Sequence, residues 1–326
     1  MKTISTQSER SVLSGKTILY GTDPCRKKEK DMNKKLYGIL AVMVTPFNEK
    51  GEIVYEDAAR HIEWLLASGV HCLLPLGATG EFSALTTEER KQFAEFVVKQ
   101  AADRVPVCVG CVSQSVAQTV ELARHAASIG ADAVMCLPCP GLHLSQEEIY
   151  GYYKYLSENV NISVMVYNNP GSSGVTISPE TLARIAELPH MDYLKESTGD
   201  IKRLTRAVDE VGDKLDAFCG AEDLAMESFI MGAKGWVCVL ANIAPSMSVK
   251  LYEHTIAGQL DKARDIYRKV LPVLRLFEES GQLWQIAKYV LQKRGMNSGI
   301  CRMPRQPISA DVQAAVDAVL AGTELK

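Results

Sequence analysis

Residues 163–200 read SVMVYNNPGSSGVTISPETLARIAELPHMDYLKESTGD. The segment opens on a short apolar, β-branched run, Ser163–Tyr167, and closes on a second one, Asp192–Lys195. Between them Ser178–Ala186 carries apolar residues at helical spacing, introduced by a Ser-Pro pair. Strand, helix, strand within so few residues is the βαβ unit of a parallel sheet covered by helices.

The same texture runs outward in both directions from Leu36. Strand-like runs fall at Tyr37–Thr45, Cys72–Leu76, Val105–Cys111, Ala133–Leu137, Asp216–Cys219 and Trp236–Leu240, which with the two above makes eight. Helical stretches separate them at Tyr55–Leu66, Thr87–Ala101, Ser115–Ser128, from Ser145 onward, Ile201–Val211, Glu222–Met231 and Pro245–Ile256. Ser145 and Glu148 have the spacing of a capping box, and Gly69, Gly130 and Gly232 each follow a helix and precede a strand. Eight units in roughly 220 residues match an α/β protein of the closed (β/α)8 type, the TIM barrel. A doubly wound open sheet is the competing architecture, but no G-x-G-x-x-G follows the first strand. Residues 36–257 are therefore expected to form the barrel. Residues 258–326 add a C-terminal helical layer, from Leu260 to Leu291 and again near Ala310–Leu320. Residues 1–35 are polar and read as a disordered arm ending in the basic cluster Arg26, Lys27, Lys28 and Lys30. Met32, just before the barrel, is itself a plausible start.

Composition narrows the function. The 326 residues carry a formal charge of -3 and are 47% hydrophobic, so nothing marks a nucleic-acid or anionic-membrane surface. No apolar run reaches the ~18 residues of a membrane span, and the N-terminus lacks the apolar core of a secretory signal, so a cytoplasmic protein is expected. Nine cysteines, mostly within apolar runs, fit buried thiols better than disulfides. Cys108-x-x-Cys111 and Cys136-x-x-Cys139 imitate a zinc site, but positions i and i+3 of a strand face opposite sides, so no metal is expected. Of the six histidines, only His143, in the loop after the fourth strand, is placed to touch a substrate.

In such a barrel the chemistry belongs at the C-terminal ends of the strands. Strand six ends on Lys195, where an apolar rim favours the uncharged amine that attacks a carbonyl. Strand five ends on Tyr167, whose phenol is close enough in the topology to move protons for that amine. Strand two ends in Gly77-Ala78-Thr79-Gly80-Glu81. The N–H groups of this Gly-bounded turn, with the Thr79 hydroxyl, suit a carboxylate.

Three of these segments, GATGE at 77–81, YNNP at 167–170 and KESTGD at 195–200, together resemble the dihydrodipicolinate synthase / N-acetylneuraminate lyase family of class I aldolases. The resemblance runs from about Leu36 to the end of the barrel and into the C-terminal helices, with weaker matches at Gly220–Asp223 and Gly235–Asn242. It implies a Schiff base on Lys195, Tyr167 as catalytic tyrosine, and the substrate carboxylate at Ala78, Thr79 and Gly80. It also implies pocket walls near Gly220 and Val237, no metal or organic cofactor, and a homotetramer built as a dimer of dimers. The sequence departs from the synthase pattern at three points. Ala78 replaces the first of two threonines, Cys139-Pro140-Gly141 replaces a loop with a tyrosine, and Ser172 replaces an arginine that pairs with a second carboxylate. The expected function is thus a Schiff-base-forming lyase, an aldolase or dehydratase, acting on pyruvate or a hydroxylated 2-oxo acid. Two alternatives accompany it: 4-hydroxy-tetrahydrodipicolinate synthase itself, and a non-catalytic sugar-acid-binding barrel.

Overall fold

Every one of the eight apolar runs becomes a strand in the computed structural model, which describes residues 34–322. They are β1 (Gly38–Val42), β2 (Cys72–Leu74), β3 (Cys108–Gly110), β4 (Ala133–Cys136), β5 (Ser163–Asn168), β6 (Met191–Glu196), β7 (Asp216–Cys219) and β8 (Gly235–Cys238). All pair in parallel, in the order β2-β1-β8-β7-β6-β5-β4-β3. A bridge between Leu73 and Val107, with the Gly110 N–H donating to the Pro75 carbonyl, brings β3 back to β2 and closes the barrel.

The strands read as continuous apolar runs because both faces are covered. Leu40, Val42, Leu74, Met135, Met165, Tyr193, Phe218 and Val237 fill the interior. Their sequence neighbours, such as Ala41, Val134, Val166 and Leu194, pack outward against the helices. Leu36 plugs the N-terminal end, its N–H donating to the Tyr193 hydroxyl at 3.2 Å. Just before it, Lys35 pairs with Asp216 at 2.9 Å and the Lys34 N–H meets Asp132 at 2.7 Å. The expected arm therefore ends two residues early, and the rest of it, with its basic cluster and Met32, lies outside the described residues.

The helices are α1 (Tyr55–Ala67), α2 (Thr87–Ala101), α3 (Val116–Ser128), α4 (Gln146–Asn159), α5 (Pro170–Ser173), α6 (Pro179–Ile185), α7 (Ile201–Val211), α8 (Ala225–Ile230), α9 (Pro245–Ile256), α10 (Leu260–Ser280), α11 (Leu283–Lys293) and α12 (Ala310–Ala321). The Ser145–Glu148 capping box forms as expected, and Gly69, Gly130 and Gly232 take positive φ. The helix expected from Thr87 is capped one residue earlier, by a Thr86–Glu89 box. Residues 222–231 open with a 3-10 turn because Glu222 turns its carboxylate away from the helix, as described below. The long stretch expected at Leu260–Leu291 is two helices, broken where Gly281 adopts φ +61°. The short helix α5 was not foreseen. Helices α10–α12 share one buried cluster with the outer barrel face, through Val273, Phe277, Ile286 and Val316 among others.

Eight described cysteines are free thiols. Cys108 on β3 points into the barrel, and Cys111, just past the end of that strand, packs outward. Cys136 and Cys139 both pack outward, because β4 ends at Cys136 and alternation stops there. Among the described residues no group of three or more His, Cys, Asp or Glu side chains gathers as metal ligands would. No described helix is long and apolar enough to cross a membrane.

Candidate active site

Strands β5 and β6 pair with Tyr167 opposite Lys195. Pleat alternation sends Met165 and Tyr167 from one strand, and Tyr193 and Lys195 from the other, towards the interior. Both residues stand next to last in their strands at the C-terminal rim and are buried, at 6% and 7% exposure. The Lys195 Nζ stands 4.2 Å from the centroid of the Tyr167 ring.

The phenol is held in a defined sense. Asn169 Nδ2 donates to the Tyr167 hydroxyl at 2.7 Å, so the phenol oxygen is an acceptor there and its own proton is free to be donated elsewhere. The amide orientation is fixed from its other end, where Asn169 Oδ1 accepts the Ser172 N–H at 3.2 Å as the cap of α5. From outside the barrel, Tyr153 on α4 accepts the Tyr167 N–H at 3.2 Å and donates to the Cys136 carbonyl at 2.9 Å. Asn168 and Glu196, next along the two strands, face outward and bond each other at 2.7 Å. Two strands thus hold the lysine and tyrosine; the Asn168–Glu196 pair joins those strands, and Tyr153 ties β5 to β4.

Gly220, after β7, completes this corner. A Cβ on it would lie 2.9 Å from Lys195 Cε and 2.9 Å from the Glu196 carbonyl, and would overlap Ser197 Oγ. Only a glycine lets the lysine stem pass. Val237 lines the interior wall on β8, opposite Leu40.

The turn after β2 presents a different kind of group. Gly80 N–H donates to the Gly77 carbonyl at 3.0 Å and Glu81 N–H to the Ala78 carbonyl at 2.9 Å. The Gly80 amide is therefore engaged within the turn itself. The amides of Ala78 and Thr79 make no bond within the described residues, nor does the Thr79 hydroxyl, although Thr79 is 4% exposed. Leu76 and Glu81, with φ +62° and +55°, bracket the turn in the left-handed region. Non-glycine residues there cost roughly 1–3 kcal/mol each and tend to mark functional sites.

Ser172 lies exposed on α5 at the rim. The imidazole of His143 reaches the same segment from the loop after β4. Its Nδ1 and Cε1 sit 2.7 Å from where a Cβ on Gly174 would be. The other expected residues cluster at the strand ends, whereas Ser172 on α5 and His143 on its loop form an outer tier.

Sequence reasoning left Glu222 without a role. It is buried, with Oε1 accepting the Val239 N–H at 2.8 Å and Oε2 the Leu240 N–H at 3.0 Å, so it ties the loop after β8 to the loop after β7. Its own N–H donates to Glu278 of α10 at 2.7 Å. Burial pushes the Glu222 carboxyl up to about 8, with the two N–H bonds, and the charge of Lys195 more weakly, opposing the rise. Partial burial raises Glu278 as well. The signal available in the sequence was an acid beside Gly220; its partners were not.

The Dihydrodipicolinate synthetase family matches residues 35–322. The 4-hydroxy-tetrahydrodipicolinate synthase of Geotalea daltonii is 34% identical over 273 residues, covering 83% of this chain and 93% of that one. The crystal structure of dihydrodipicolinate synthase from Thermotoga maritima superposes with a TM-score of 0.85 at 30% identity, covering 89% of this chain and 99% of that one. The Acinetobacter baumannii synthase, solved in complex with pyruvate, does so with a TM-score of 0.85 at 28% identity, over 89% and 99%. A buried lysine–tyrosine pair at the mouth of a parallel barrel, in a chain that these proteins match over most of its length, identifies an enzyme of the dihydrodipicolinate synthetase family of lyases.

Proposed function

We propose that this enzyme forms a Schiff base between Lys195 and the C2 carbonyl of pyruvate or of a 2-oxo acid with a hydroxylated tail. The observation that carries this is the amine of Lys195 lying 4.2 Å from the Tyr167 ring, on paired strands at the catalytic end of the barrel. The amine adds to C2 to give a carbinolamine. Tyr167, whose proton Asn169 leaves unclaimed, delivers it to the departing oxygen, which leaves as water. The iminium then draws electrons from C3. In a 4-hydroxy substrate the C3–C4 bond breaks, the 4-hydroxyl proton is removed, an aldehyde departs, and the enamine is protonated at C3. Hydrolysis returns the lysine and releases pyruvate. In a dehydratase the C3 proton is lost instead and the C4 hydroxyl leaves as water.

The 1-carboxylate is assigned to the unpaired amides of Ala78 and Thr79 and to the Thr79 hydroxyl. The tail faces Ser172 and His143. Serine in place of a cation removes a bidentate partner for a second carboxylate, and this favours a neutral tail. The name carried by the relatives supports a second reading, condensation of pyruvate with aspartate semialdehyde, which a coupled turnover assay checks directly. A homotetramer belongs to the same proposal and is checked by light scattering.

The first test is intact mass after incubation with pyruvate and borohydride. One reduced adduct per chain is expected in the wild type and none in Lys195→Ala. An adduct on Lys195→Ala, or none on the wild type, overturns the assignment.

A further inference from the structure

We propose that Glu81 and Lys288 are positioning residues for the substrate carboxylate, through which the C-terminal helical layer holds the turn after β2 in its binding shape. This rests on the assignment of that turn to the 1-carboxylate.

Glu81 is the last residue of the turn and takes a backbone conformation that L-residues rarely adopt. Its N–H closes on Ala78, and the preceding Gly80 carbonyl accepts the Thr45 hydroxyl at 2.7 Å. The free amides of Ala78 and Thr79 point where they do because both ends of the turn are tied. The side chain of Glu81 supplies the tie on the far side. Its Oε1 accepts Lys288 Nζ from α11 at 2.5 Å, and its Oε2 accepts the Arg302 N–H at 2.9 Å. Both side chains of the ion pair are 3% exposed. Lys288 also donates to the Ile300 carbonyl at 2.7 Å and lies 4.5 Å over the Phe47 ring.

An ion pair this buried is poor evidence of net stability, because removing both charges from water costs about what their attraction returns. What such a pair does well is fix one arrangement, since each charge penalises any geometry that leaves it unpaired. Here the arrangement fixed is the φ of Glu81, and with it the direction of the two amides two and three residues earlier. Neither Glu81 nor Lys288 touches the reacting carbon. Their loss should therefore weaken ground-state and transition-state binding alike and leave the chemistry of Lys195 intact.

The test uses the full-length enzyme and borohydride trapping at graded pyruvate concentrations. Lys288→Met and Glu81→Gln are each expected to raise the half-saturating pyruvate concentration about tenfold or more, with the maximal trapping rate within about threefold of wild type. The double variant should be no worse than the worse single one, and Lys288→Arg should recover most of the affinity. Asp317→Asn, which breaks the Lys293–Asp317 pair between α11 and α12, is the control for general loosening and should move neither parameter. Glu81→Gln keeps the shape of the side chain and carries the test where Lys288→Met does not fold. Half-saturation within about twofold of wild type in a folded variant overturns the proposal, as does a maximal rate that falls as far as half-saturation rises. Wild-type enzyme that binds pyruvate by calorimetry without trapping it removes the Schiff-base reading alone. The same comparison is then made on calorimetric affinities. No binding at all removes both.

Discussion

Replacing Gly220 by alanine probes the lysine's position without touching the lysine. Carbon atoms in van der Waals contact sit about 3.5–4.0 Å apart. The added methyl would lie 2.9 Å from Lys195 Cε, leaving the stem about 0.6–1.1 Å too close. The Glu196 carbonyl, also 2.9 Å away, is backbone of a paired strand and does not yield, so the flexible lysine must. A displacement of about 1 Å at a reacting group is worth about a hundredfold in rate. Gly220→Ala should therefore slow pyruvate trapping about a hundredfold, and overpacking should cost about 1–3 kcal/mol of stability. A second substitution separates these effects. Ser197 Oγ, which the methyl also overlaps, is buried without a hydrogen-bond partner among the described residues, so Ser197→Ala removes it cheaply. In the double variant stability should recover in part while trapping stays slow. Wild-type trapping rates in either variant, with the fold intact, would refute the claim that Gly220 sets the lysine's path.

Tyr167→Phe keeps the ring beside the amine and removes only the hydroxyl, so trapping should slow about a hundredfold or more; imine formation at wild-type speed ends the proton-transfer role. Asn169→Asp keeps the α5 cap but presents a carboxylate to the phenol, which turns the O–H round to donate to it. Trapping should drop at least about tenfold with little change in the melting midpoint, and an unchanged rate would show that phenol orientation is unimportant. His61 is buried against Trp64, with no hydrogen-bond partner for either ring nitrogen among the described residues, and burial pulls its pKa from 6.5 down to about 4, the Asn242 backbone opposing the drop. The fold thus holds it neutral, and its contribution is complete above pH 6.5 and lost as the pH falls towards 4. Urea titrations at pH 7 and 4.5 should show about 2 kcal/mol less acid destabilisation in His61→Phe than in wild type; equal losses would refute this.

The strands were legible because a parallel barrel buries both faces of each, so β2, β4 and β8 stand out as short apolar runs between helices. The rim position of Lys195 and Tyr167 was legible for the related reason that both lie near the C-terminal end of such a run. What escaped notice depends on partners far away in the chain. Glu81 and Lys288 are separated by 207 residues, and nothing local to either hints at the other. Glu222 read as the first turn of a helix because its sequence fits one; its carboxylate instead satisfies the amides of Val239 and Leu240, which no local pattern encodes. The break at Gly281 was missed because apolar spacing continues on both sides of it. The spent amide of Gly80 shows the same limit at short range, since a Gly-bounded turn does not reveal which of its N–H groups its own carbonyls consume.

His143 resting against Gly174 divides the site into parts with different capacities for evolutionary change. The end proposed to react is fixed by strand register, by glycines that admit no side chain and by buried polar ties, so substitutions there should sacrifice turnover. The outer tier consists of Leu142, His143 and Ser172, all exposed and carried on the connections beyond the strand ends, where a new side chain disturbs no packed core. A library confined to those three positions should exchange one substrate tail for another while the melting midpoint and the chemistry on the lysine stay as they are. Repertoire in this barrel is thus inherited by its loops, and reactivity by its strands.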